Sequence, residues 1–252
     1  MNFTSIAITS NKKNDKLNFF DDIITDDIRK GSHNVITKQK TVQLKIKEDV
    51  EVNVSYLESF PPHNEYSKLS ILFLAGQSYT SSVWKDTNTM QIFSNMGYHC
   101  IAIDLPGTGK TTGDLITDQD KPIFMYKLLD ELNLEKVAII VASMSGLYVL
   151  PMLPERRVIT IVAVAVSDTK IPEDRRKAIT TPCLIVWGER DLSLGPLSQR
   201  HLRVLKETRE VKVPNASHVC YESNPNDFQK IVLNWLAWIC TLNSNKSINT
   251  AL

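Results

Sequence analysis

No stretch of this 252-residue sequence is apolar and uncharged for long enough to span a bilayer, and its opening residues, MNFTSIAITSNKKNDK, lack the apolar core of a secretory signal. A cytoplasmic protein, open to a nuclear presence and without a membrane partner, is the expectation. Neither sign of charge dominates: 29 Lys and Arg stand against 28 Asp and Glu, which argues against a surface built for nucleic acid. Cysteine is scarce and unpatterned. Cys100, Cys183, Cys220 and Cys240 show no CxxC spacing, so neither a zinc site nor a disulfide framework is suggested. Three of them lie in or beside apolar runs, where a reduced thiol packs as a small hydrophobe. The five histidines, His33, His63, His99, His201 and His218, form no i, i+4 pair and no HExxH motif, so no metal is expected.

What is present is enough apolar material, 42% of residues, for one substantial core. Residues 1–40 are rich in Asn, Asp, Lys and Ser and read as a flexible extension, with one apolar patch, LNFFDDIITDDI, able to form a short amphipathic helix. TVQLKIKE and VEVNVSYL then alternate apolar and polar residues, as a half-buried antiparallel hairpin does. From Ser70 the pattern changes to continuous apolar runs, ILFLA, CIAID, VAIIV, VITIVAVAV and CLIVW, separated by segments long enough for crossover helices. An α/β domain over residues 41–242 follows: a mostly parallel central sheet with an antiparallel N-terminal hairpin and helices on both faces. Its final helix, Pro225 to Thr241, carries Phe228, Ile231, Val232, Trp235, Leu236 and Ile239 at helical spacing, and residues 243–252 read as a tail. Ligands of such folds bind beyond the carboxyl ends of the strands, so chemistry is sought where strands end.

One such end is VAIIVASMSGLYVLP, where a buried-type strand runs into Ser143 and then into a helical pattern. A nucleophile elbow sits at such a strained strand-to-helix turn and needs small neighbours; Ser145 and Gly146 satisfy this and Val141 does not. Ser-x-Ser-Gly also serves as an ordinary helix cap, so the partners decide. Asp191 follows the strand CLIVW, and His218 lies in the loop PNASH ahead of the final helix, giving the chain order Ser, Asp, His. His218 would take the Ser143 proton, and Asp191 would orient the imidazole. The oxyanion hole would use the N–H of Met144 and that of Gln77, after the turn glycine Gly76. Asp168, at another strand end, is an alternative acid.

Other readings are weaker. DLPGTGKTT resembles a phosphate loop but has Asp104 where G-x-x-x-x-G-K-[ST] needs glycine, so Lys110 reads as a solvated loop charge. Cys220 invites a Cys–His pair, yet no second histidine is placed for it. A hydrolase-fold binding protein without turnover is the rival from another class.

AGQSYTSSVW, GYHCIAIDLPGTGKT, SMSGLYVLP, SDTKI, LIVWGERD and SHVCYESNP together, in this order, make the chain resemble the α/β-hydrolase superfamily, closest to the α/β-hydrolase domain-containing 14 group, over about residues 68–240. The group usually has His-Gly where this chain has Ala75-Gly76, and a small residue in place of Val141. The resemblance implies the α/β-hydrolase fold and a serine hydrolase or acyltransferase acting on short acyl esters or acylated amines through an acyl-enzyme. It also implies a possible role in protein-lysine deacetylation with coenzyme A as acyl acceptor and no required cofactor. Only SDTKIPEDRRKAITTP separates VAVAV from CLIVW, so no large lid is expected, and short acyl groups are favoured over lipids. The expected partners are a small acyl substrate or an acylated protein, and the expected state is a monomer.

Overall fold

The computed structural model describes residues 17–62 and 67–249, with the side chains of the last helix described through Leu242. Residues 1–16 of the expected extension, His63 and the end of the expected tail, residues 250–252, lie outside the described residues. Nine strands form one sheet among the described residues: β1 (Thr37–Lys47), β2 (Val50–Ser59), β3 (Ser70–Leu74), β4 (His99–Ile103), β5 (Thr112–Gly113), β6 (Val137–Ala142), β7 (Val158–Val164), β8 (Cys183–Gly188) and β9 (Thr208–Val213). They run in the order β1-β2-β4-β3-β6-β7-β8-β9, with the two-residue β5 on β2. β1 and β2 form the expected antiparallel hairpin, β2 also runs antiparallel to β4, and every pairing from β4 to β9 is parallel.

The helices are α1 (Asp26–Ser32), α2 (Ser82–Asp86), α3 (Thr89–Asn95), α4 (Lys121–Glu131), α5 (Gly146–Val149), α6 (Glu173–Ala178), α7 (Leu194–Leu202), α8 (Cys220–Ser223) and α9 (Pro225–Asn249). Strand side chains alternate between faces, so each apolar run feeds two cores. Leu72, Leu74, Ile139 and Val141 join Phe124 of α4 and Tyr148 of α5 on one side. Ile71, Phe73, Ala138 and Ile140 meet Trp84 of α2, Phe93 of α3 and the Phe228–Trp235 face of α9 on the other. All six residues expected to form the apolar face of α9 are buried.

Three expectations change. The domain begins before residue 41: β1 starts at Thr37, Ile24 is buried, and Asn234 of α9 donates to the carbonyls of Phe19 (3.2 Å) and Asp21 (3.0 Å). The helix in this segment takes in only the last three residues of the apolar patch and runs on to Ser32, because the Thr25 hydroxyl accepts the Ile28 N–H and starts α1 at Asp26. Finally, α9 continues to Asn249, past the expected end at Thr241. Between β7 and β8 stands only the six-residue α6, none of it buried, so no large lid covers this part of the sheet.

Candidate active site

The chain passes from β3 outward to β4 and then returns to place β6 on the other side of β3, so the winding direction reverses between β3 and β6. A crevice forms beyond the carboxyl ends of strands at such a switch point. β3 and β6 are in parallel register with Leu74 beside Val141, so the loops that follow them leave the sheet at one level. Between these loops lies a cavity of about 200 Å³, bordered by Gly76, Gln77, Tyr79, Ser143, His218 and Tyr221 among others.

Ser143 directly follows β6 and has φ of +50°, the left-handed region that costs a side-chain-bearing residue energy unless its surroundings impose it. They do so here on both sides. The Ser167 N–H, from the loop after β7, holds the Ser143 carbonyl at 3.0 Å. The fully buried Ser145 hydroxyl accepts the Ala142 N–H at 2.8 Å and lies 2.7 Å from the Ala142 carbonyl and 3.2 Å from that of Leu74, stapling the elbow to β3. The sequence offered Ser145 only as a small neighbour; this hydrogen-bonding role left no signal there. Val141 points into the core beside α5 and is fully buried, and the close approach falls instead at Gly146, where a Cβ would meet the Ser167 carbonyl and the Val166 Cβ at 3.0 Å.

The structure brings Ser143, His218 and Asp191 into one hydrogen-bonded chain. His218 Nε2 is 3.3 Å from Ser143 Oγ, and its Nδ1 is 2.6 Å from Asp191 Oδ2. Asp191 is buried, and its carboxylate also accepts the N–H groups of Ser193 (3.1 Å) and Gly195 (3.0 Å). Burial alone would raise its pKa, but the His218 contact and these amides outweigh burial and hold the carboxyl below its ordinary value. The His218 loop is tied to the end of β8: the Arg190 N–H donates to the Ala216 carbonyl (2.9 Å) and the Glu189 carboxylate accepts the Asn215 N–H (2.9 Å). The alternative acid, Asp168, is exposed and makes no hydrogen bond to His218.

Gly76 turns out not to need glycine for a left-handed backbone, since the glycines with positive φ are Gly97, Gly107, Gly109 and Gly113. Its constraint is space: a Cβ there would sit 3.2 Å from the Ser143 Cβ. Gln77 follows it at the cavity wall. Met144 lies in the first turn beyond Ser143, where backbone amides have no partner earlier in the helix. At the rim, the Tyr79 hydroxyl donates to Glu222 at 2.7 Å, a contact that raises the phenol pKa. Cys220 is fully buried and its thiol is pushed well above its ordinary value by burial, in keeping with a packing role.

The phosphate-loop reading of DLPGTGKTT fails on geometry. The buried Asp104 carboxylate itself accepts the N–H groups of Ser81 (2.7 Å) and Lys110 (2.8 Å), and a Cβ on Gly109 would lie 2.2 Å from its Oδ2. Gly109 makes room for an internal anion. Lys110 reaches Gln39 at 2.6 Å at the surface. Among the described residues, no group of three or more His, Cys, Asp or Glu is arranged to hold a metal, and no helix is long and apolar enough to cross a membrane.

No family model matches the chain. It is 31% identical over 180 residues to ABHD14A of Homo sapiens, an alignment covering 69% of this chain and 66% of that protein. It is likewise 31% identical over 192 residues to ABHD14B of Rattus norvegicus, whose name describes a candidate protein-lysine deacylase, covering 72% of this chain and 89% of that protein. The matches to ABHD14A proteins span between 65% and 74% of those relatives' length. Among solved structures it resembles a predicted CIB-like hydrolase from Thermoplasma acidophilum, with TM-score 0.68, 22% identity and coverage of 80% of this chain and 99% of that one. It also resembles the carboxylesterase CesB of Bacillus subtilis, with TM-score 0.64, 14% identity and coverage of 83% and 97%.

Proposed function

The chain belongs to the α/β-hydrolase domain-containing 14 family of α/β-hydrolases, and from that premise we propose that it is a serine hydrolase or acyltransferase for short acyl groups. The observation that carries this reading is the Ser143–His218–Asp191 hydrogen-bonded chain opening on a cavity at the switch point. Ser143 Oγ attacks the acyl carbonyl carbon while its proton passes to His218 Nε2; Asp191 keeps Nδ1 protonated and stabilises the imidazolium. The N–H groups of Gln77 and Met144 hydrogen-bond the carbonyl oxygen as it gains charge. Collapse of the adduct breaks the bond to the leaving group, which takes the proton from His218. Water, or a thiol such as that of coenzyme A, then attacks the acyl-enzyme by the same steps in reverse. The steps require no cofactor when water is the acceptor.

The substrate follows from space and access. A cavity of about 200 Å³ is smaller than the roughly 300–1,000 Å³ of sites that enclose drug-sized ligands, so it suits an acetyl-like group. The absence of a large lid between β7 and β8 leaves room for a bulky carrier, such as an acylated lysine on a protein. Buried free thiols at Cys100, Cys183 and Cys220 agree with the reducing interior of a cell.

The test is turnover of p-nitrophenyl acetate, butyrate and longer esters by wild type, Ser143→Ala and His218→Ala, with fluorophosphonate labelling in parallel. Activity that falls to background in both variants, with labelling lost in Ser143→Ala, is the expected result. Equal background rates in all three, without labelling, would replace this reading with a hydrolase-fold binding protein.

A further inference from the structure

The mechanism above leaves unused the hydroxyl of Tyr221, which borders the cavity. Tyr221 is buried at 2% exposure, and its ring is fixed: stacked on Trp84 (centroids 4.4 Å apart, 28° between planes) and edge-on to Phe228 and Tyr79, each at 6.0 Å. The hydroxyl oxygen accepts the Gly76 N–H at 3.5 Å, and among the described residues its own proton has no acceptor. A bond of that length lies at the outer limit of hydrogen bonding, which is a poor return for burying a phenol that phenylalanine could replace. The hydroxyl also neighbours the nucleophile. A Cβ on Gly76 would lie 3.7 Å from it and 3.2 Å from the Ser143 Cβ, so the two groups border the same point.

We propose that Tyr221 is a third oxyanion donor, its O–H hydrogen-bonding the acyl oxygen beside the amides of Gln77 and Met144. This rests on the serine hydrolase reading and adds to it a side-chain donor from the base loop, three residues beyond His218. As Ser143 Oγ bonds to the carbonyl carbon, the carbonyl π pair moves onto oxygen, and the phenol stabilises that charge without giving up its proton. Two features suit it. The stacked ring fixes the oxygen, so only the hydroxyl torsion remains to be set. Burial raises the phenol pKa far above its ordinary value, so the donor stays protonated at working pH.

Tyr221→Phe removes the hydroxyl and keeps the ring in its stack. With p-nitrophenyl acetate, kcat is expected to fall about tenfold or more, less than the roughly 100–1,000-fold typical of losing an oxyanion donor because two amides remain, with KM little changed. A short alkylboronic acid, whose tetrahedral serine adduct mimics the oxyanion state, should lose affinity by a similar factor, whereas a purely structural role would leave the ratio of boronate to substrate affinity unmoved. An unaltered Tm checks the fold. A kcat and a boronate affinity both within about threefold of wild type overturn the proposal while leaving the serine hydrolase reading intact. Wild-type protein that neither turns over esters nor labels with fluorophosphonate overturns both.

Discussion

A single methyl group at Gly188, the last residue of β8, tests how tightly the His218 loop is set against the strand that leads to Asp191. An added Cβ would stand 1.9 Å from the Ser217 carbonyl oxygen and 2.5 Å from that of Ala216. Both obstacles are backbone, so no side chain can swing away; the loop must retreat by about 1 Å or more before contact becomes tolerable. Ser217 is the neighbour of His218, whose Nε2 already stands 3.3 Å from Ser143 Oγ. A shift of that size takes the pair out of hydrogen-bonding range. Misplacement by about 1 Å can cost about 100-fold in rate, and forced overpacking about 1–3 kcal/mol in stability. Gly188→Ala should therefore lower kcat for p-nitrophenyl acetate by about 100-fold and slow fluorophosphonate labelling in step, with the urea midpoint falling as well. Wild-type turnover and an unchanged midpoint would refute the claim that this crossing positions His218.

Ser145→Ala removes the buried hydroxyl that accepts the Ala142 N–H and lies within hydrogen-bonding distance of the Leu74 carbonyl, so it should destabilise the fold by about 1–3 kcal/mol in urea titration; no measurable loss would show that the staple is dispensable. For Asp191 the sign follows from its lowered pKa. The ionised carboxylate favours the folded state fully above the unfolded value of about 3.9, and this contribution is lost as pH falls through the lower folded value. Asp191→Asn should accordingly flatten the acid limb of a Tm profile below about pH 4, and parallel limbs in the two proteins would contradict it.

Much of the frame was legible because it follows from local rules. Continuous apolar runs mark β3, β4, β6, β7 and β8 within a residue or two, since strands buried on both faces have no polar side to display. The strand-end positions of Ser143, Asp191 and His218 were legible because strand ends at a switch point converge, but the hydrogen bonds that join the three are visible only in the structure. The N-terminal segment was misread because its charges, Asp26, Asp27, Arg29 and Lys30, lie on a helix that hides only Ser32 while the anchoring contacts run through Ile24 and the carbonyls taken up by Asn234. Backbone hydrogen bonds of that kind leave no trace in composition. The misgiving over Val141 had a similar cause: a rule about small neighbours names a position, but only packing reveals that the tight contact falls at Gly146. Tyr221 was invisible for the opposite reason, as one aromatic among several beside an apolar face.

The Asp104 contacts carry a consequence for how the crevice is maintained. Its carboxylate joins the amide of Ser81, on the loop that also carries Gln77, to that of Lys110. It is in effect a tethered counter-ligand, and a phosphate or other free anion would have to compete with a group that cannot diffuse away. The glycine-rich string therefore spends its anion-holding capacity inside the molecule, where it keeps the wall of the crevice in shape before any substrate arrives.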